Sequence, residues 1–222
     1  MFSAVYMVTF AEKANDAAKK EFATAMQNAA NAITPTNLAA NTLTPPMPGG
    51  DYFCELGFKD QNEYDQVKEQ GLLTNLESLL ADKSVVDYFE FVAFGEGILT
   101  LQEKKFSNCH RVLIFSLLDD ADPAMVAKME SSMNGMTNFV PGLKNCKLSK
   151  VVESSGTNSW DYAYECDFDE PTSLLGKYMT TPYHFCYIDK FFEPACNEWI
   201  VDTNLATPYC AQEKPFLANF ID

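Results

Sequence analysis

Two side chains in this 222-residue chain titrate near neutral pH, His110 and His184, and both fall in its second half. A neutral imidazole can remove a proton made acidic by an adjacent carbonyl. Tyr178 lies six residues before His184, across a break at Pro182, and a phenol within hydrogen-bond reach can polarise that carbonyl or orient the imidazole. A positioned base contributes about 10²–10⁴ in rate. That suits enolisation, aldol closure or elimination in an already reactive substrate, not a difficult hydrolysis. Read singly, a strand histidine and a helix histidine are hydrogen-bonded structural residues, and the spacing alone does not bring them together.

Other reactive side chains offer less. Met125, Met129, Met133 and Met136 recur at helical spacing and share one helix face. They read either as core or as a pliable wall for an apolar ligand, because methionine adapts its shape easily. The seven cysteines are odd in number and contain no C-x-x-C pair, which reads as reduced thiols in a cytoplasmic protein. Cys186 is two positions from His184, so on a helix the two point about 200° apart. Cys109 takes the strand face opposite His110. No zinc-ligand spacing, P-loop or G-x-G-x-x-G fingerprint is present, so a metal site, a P-loop nucleotide site and a dinucleotide site are not expected.

The elements that must hold these residues come in two copies. The segment Asp51 to Phe58 (DYFCELGF) is echoed by Asp161 to Phe168 (DYAYECDF). Alternating Phe2, Ala4, Tyr6, Val8 and Phe10 predict a strand. A helix is expected over 16–33, stopped by Pro35, then strands over 38–43 and 51–58, helical sequence over 63–81 broken near Gly71, and a strand over 85–94. The second half repeats the order. Strand 109–118 is followed by a helix from Asp122-Pro123 to about Phe139, and strands 143–152 and 160–168 are joined by a polar hairpin. Helical stretches 172–179 and 183–192 and a last strand over 195–201 complete it.

Each copy has the order strand, helix, strand, strand, helix, strand, which is that of a ferredoxin-like unit. The expected fold is α+β, with two fused units packing sheet to sheet as an intrachain, pseudo-dimeric α/β barrel. Expected boundaries are 1–96 for the first unit, 97–108 for a linker, 109–203 for the second unit and 204–222 for a tail. Ser3 or Ala4 stands where His110 does, depending on register, and Lys68 and Thr74 stand opposite Tyr178 and His184. The first unit is therefore expected to be catalytically silent.

Three short motifs carry a resemblance: His110-Arg111-Val112-Leu113-Ile114-Phe115 opening a strand, Pro141-Gly142-Leu143 after a helix, and Tyr178-Met179-Thr180-Thr181-Pro182-Tyr183-His184. About 95 residues of the second half resemble the stress-responsive α/β-barrel (Dabb) family of dimeric α/β-barrel proteins. The last motif is similar to that family's Y-x-x-H-P-x-H signature. The resemblance implies a cofactor-independent reaction like that of the family's plant olivetolic acid cyclase. It assigns the base to His184, assistance to Tyr178, and pocket positions to His110 and, in place of a family histidine, Tyr162. Thr181 replaces the signature's first histidine, which leaves the substrate open.

Composition narrows the partners. A net charge of −15 with 47% hydrophobic residues argues against nucleic acid and anionic membranes and for a globular protein with a real core. No stretch approaches a membrane span. The leading expectation is a cyclase, lyase or isomerase acting on a small aromatic or polyketide-like ligand, with His184, Tyr178 and His110 catalytic and Tyr162, Met125, Met129 and Met133 lining the pocket. A non-catalytic ligand-binding protein and a haem- or oxygen-dependent enzyme are the alternatives, and further homo-oligomerisation is compatible with each.

Overall fold

Alternating side chains in the strands give every sheet face one apolar lining, and the chain uses both faces. The computed structural model describes residues 1–104 and 106–220. The first half runs β1 (Phe2–Phe10), α1 (Asp16–Ile33), β2 (Asn37–Asn41), β3 (Tyr52–Phe58), α2 (Gln61–Glu69), α3 (Thr74–Leu80) and β4 (Val86–Leu101). The second runs β5 (Cys109–Leu117), α4 (Pro123–Asn134), β6 (Leu143–Ser155) and β7 (Tyr162–Phe168). Two π-helical stretches follow, Ser173–Tyr178 and His184–Ile188, then a helical turn Asp189–Phe192, β8 (Val201–Ala206) and β9 (Tyr209–Ala211).

Local chemistry starts the helices where the sequence places them. The Asn15 side chain accepts from Ala18 N–H at 2.9 Å to cap α1. Asp60 accepts from Glu63 N–H at 3.0 Å, and Glu63 reaches back to Lys59 N–H, a reciprocal cap for α2. Asp122 caps α4 and Pro123 takes its first position. Gly71, at φ +68°, makes the expected break between α2 and α3.

The strands form one antiparallel sheet in the order β2-β3-β1-β4-β6-β7-β5-β8, with β9 also on β5. The β4–β6 pairing joins the two units edge to edge. At the far ends, Leu43 N–H donates to Tyr209 O at 3.0 Å, so the sheet curls into a nearly closed barrel. Helices cover the outside, over two separate apolar cores built around Phe22, Met26 and Leu76 and around Met129, Met133 and Tyr164. A third core fills the barrel, with Met7, Phe53, Phe94, Ile114 and Trp160 meeting from both units. The fused, two-unit α+β barrel expected from the repeat is the fold observed.

Register settles the repeat. Ser3 pairs with Gly57 and His110 pairs with Asp167, so Ser3 is the counterpart of His110, and Glu55 that of Glu165.

Two segments differ most from expectation. β4 continues through Gly97–Leu101, part of the expected linker, because this stretch pairs with β6 after a register shift. Its outer residues are exposed, so no burial pattern marked it. The expected strand over 195–201 is mostly turns, and the strands are β8 and β9, which lie largely in the expected tail. β8 is an edge strand with only its two end residues buried, and its pairing with β5 defines it. Lys105 of the linker and residues 221–222 of the tail lie outside the described residues.

Candidate functional site

Strand alternation on β5 separates the residues the sequence grouped together. His110, Val112 and Ile114 face the barrel interior, whereas Cys109, Arg111, Leu113 and Phe115 face the helices. Between β5 and the π-helical stretches, Arg111 Nη1 donates to the Tyr178 hydroxyl at 3.1 Å and Nε donates to Thr207 Oγ1 at 2.7 Å. The guanidinium carbon lies 5.2 Å from the Tyr178 ring centroid. Tyr178 packs edge-on against Phe168 and lies 4.4 Å from the His184 ring, centroid to centroid. His184 Nδ1 stands 3.0 Å from Asp189 Oδ1, close enough for the carboxylate's charge to act on the ring although the pair makes no well-directed hydrogen bond. The order in space is Arg111, Tyr178, His184, Asp189.

The π-helical turn explains the last contact. Asp189 N–H donates to His184 O, an i to i+5 bond, and this wider turn stacks residue i+5 over residue i. An α-helical turn would carry Asp189 away from the imidazole. Tyr183 donates to Ser132 O at 3.0 Å and fixes the segment to α4.

Electrostatics suit a proton acceptor. Burial lowers the pKa of His184 from its ordinary value, Asp189 pulls it up and Arg111 pushes it down, leaving a neutral ring at pH 7. Burial raises the pKa of Tyr178 while the Arg111 cation opposes the rise, so the phenol keeps its proton and remains a hydrogen-bond donor. Tyr178, Arg111 and His184 are all buried. Outside His184, the stacked rings of Phe139, Tyr183 and Tyr187 line an open groove of about 640 Å³ with Thr181, Pro182 and Cys186.

The remaining expected site residues lie elsewhere. His110 is fully buried in the barrel, with Nδ1 2.9 Å from Asp167 Oδ1 and Nε2 2.9 Å from Glu55 Oε2. Burial alone would lower its pKa, but the two carboxylates outweigh burial and raise it to about 10. His110 is thus an imidazolium with both ring nitrogens donating. It has no lone pair for a proton or a metal, and it does not join Tyr178 and His184. Tyr162 lies at the opposite end of β7 from Phe168, about 20 Å away at 3.3 Å per residue. It lines a different cleft, of about 790 Å³, and donates to Glu130 Oε1 at 2.7 Å. Met129 and Met133 are fully buried and Met125 packs against the same core, so the methionine face fills the helix–sheet gap. Lys68 is exposed and pairs with Glu153, and Thr74 is exposed at the start of α3.

Sequence reading missed Arg111 and Asp189. Arg111 is the chain's only arginine, and alternation next to His110 sends it to the helix side. Asp189 was hidden because α-helical periodicity does not align residues five apart.

Comparison with known proteins agrees with this architecture. Residues 109–203 match the Stress responsive A/B Barrel Domain family. Solved structures similar to the chain include an anthrone oxidase-like protein, at 6% identity and TM-score 0.65, covering 95% of this chain and 90% of that one. A proposed monooxygenase from Fusobacterium nucleatum is similar at 10% identity and TM-score 0.61, covering 95% and 91%. Another from Lactobacillus acidophilus NCFM has 10% identity and TM-score 0.57, covering 94% and 91%. At these identities the likeness is one of fold. No curated protein matches the chain in sequence. The matched stretch spans the unit from β5 to the start of β8 and contains the Tyr178–His184 segment, so the second half of the chain is similar to a stress-responsive α/β-barrel domain.

Proposed function

We propose that this protein is a cofactor-independent cyclase, lyase or isomerase that abstracts a proton next to a carbonyl of a small aromatic or polyketide-like compound. The observation that carries this reading is the contact of a neutral, Asp189-flanked imidazole with a phenol backed by a buried guanidinium. His184 takes the proton. The electron pair moves to the carbonyl oxygen, where the Tyr178 hydroxyl stabilises the developing enolate, and Arg111 strengthens that donor. The enolate then closes on a second carbonyl, is reprotonated elsewhere, or expels a leaving group. The groove lined by Phe139, Tyr183 and Tyr187, on the outer face of the segment that carries His184, offers planar rings a stacking surface.

The test is exchange of the methylene protons of a 1,3-dicarbonyl probe in D₂O, followed by NMR. The wild-type protein is expected to accelerate exchange. His184→Gln should lower the rate by about 10²–10⁴, and Tyr178→Phe by about 10². Full activity in His184→Gln would overturn the assignment.

A second reading follows from the names of the similar structures, which include an anthrone oxidase-like protein. The carbanion formed by His184 is also the species that dioxygen would attack. An oxygen electrode separates the two readings, since only the second consumes oxygen.

A further inference from the structure

The barrel interior holds a set of ionisable groups that the His184 chemistry does not use. On the β6–β7 pairing, Lys147 Nζ lies 3.4 Å from Glu165 Oε2, and the Ser3 hydroxyl donates to Glu165 Oε1 at 3.1 Å. Lys147 is only 2% exposed. An ammonium has three N–H donors, and a charge-assisted bond runs at about 2.7–2.9 Å. Among the described residues its one hydrogen-bonding contact is longer than that, and the Phe94 ring lies 5.7 Å away. Burial is also the largest influence raising the pKa of Glu165, to about 8, so near neutral pH this carboxyl gives the ammonium no full negative charge.

Lys147 lines a cavity of about 450 Å³ at one mouth of the barrel. Phe2, Leu99 and Phe220 supply apolar walls, and Gly95 and Gly97 contribute bare backbone. At Gly97 a side chain would meet Leu148 O at 2.1 Å, which holds this wall close to β6. Asp60 and Glu96 also line the cavity. Asp60 Oδ1 is engaged in capping α2 and Glu96 is exposed, so their charges are hydrated and screened while that of Lys147 is not.

We propose that this mouth is a second ligand site, separate from His184, that binds a small monocarboxylate with an aliphatic tail. The carboxylate takes the unused Lys147 donors and the tail packs on Phe2, Leu99 and Phe220. The acidic lining disfavours dianions.

Hexanoate and 1-hexanol serve as probes, with affinities measured by isothermal titration and by saturation-transfer NMR. Hexanoate should bind at least tenfold more tightly than 1-hexanol. Lys147→Met should remove that preference, and His184→Gln should leave it unchanged. Leu99→Trp, which fills the cavity from the position paired with Lys147 and keeps both charged side chains, should abolish binding of both probes and decides the matter if Lys147→Met does not fold. Equal binding of the two probes, no binding by the wild-type protein, or hexanoate binding that survives both Lys147→Met and Leu99→Trp would each overturn the proposal.

Discussion

The two histidines differ in charge, His110 protonated and His184 neutral, for reasons visible atom by atom. His110 donates from both nitrogens to carboxylates at 2.9 Å, and His184 is buried beside one half-exposed carboxylate and within the field of a guanidinium. With only two histidines in the chain, a ¹⁵N NMR titration resolves both rings. His110 should stay protonated until about pH 10, and His184 should titrate below its ordinary value. In Asp189→Asn the loss of a negative charge should move the His184 midpoint lower still, taking the acid limb of any pH–rate profile with it. A His110 midpoint near 6.5 would show that the two carboxylates do not clamp it. Sequence made the pairing of Tyr178 with His184 legible because the motif is local. It misplaced His110 and Tyr162, since a motif match carries no information about which sheet face, or which end of a strand, a side chain occupies.

At the scale of elements, periodicity located the strands and helices that bury one face and failed where burial is weak. β1, β3, β5 and β7 are buried nearly throughout and were legible. The extension of β4 and the edge strand β8 exist because of partners far away in sequence, and no local pattern announces them. The π-helical turns were also illegible, since their spacing differs from the α-helical one by about one residue per turn. Helix α4 gives the sharpest test of the methionine face. Met129 is fully buried against the second unit's core, so Met129→Ala should cost about 2–5 kcal/mol in urea unfolding. If Met129 lined an adaptable pocket, the loss would be small and a bound apolar ligand would restore it.

The whole barrel is held at its axis by counterparts that duplication made and then changed. Glu55 and Glu165 are equivalent positions, and His110 and Asp167 stand where the first half has Ser3 and Gly57. Asp167 also accepts from Asn145 Nδ2 at 3.0 Å and from Gln212 Nε2 at 2.9 Å. The network thereby ties the C-terminal segment to both units. This arrangement sets the pH dependence of folding. The folded-state pKa of Glu165 is raised from 4.5 to about 8, and that of His110 from 6.5 to about 10. In both cases the folded protein binds more protons than the unfolded chain between the two values, so stability falls as pH rises through the interval. The Glu165 contribution is fully present below about pH 4.5 and is lost by about pH 8. That of His110 is present below about pH 6.5 and is lost through about pH 10. Each contributes on the order of a few kcal/mol. Urea unfolding should therefore show a midpoint that falls between pH 6 and pH 10. Glu165→Gln, which carries no ionisable proton and keeps an acceptor for Ser3, should flatten the part of that decline below pH 8 and leave the part above it. A midpoint that rises with pH across this range would mean that neither group holds its proton in the folded barrel.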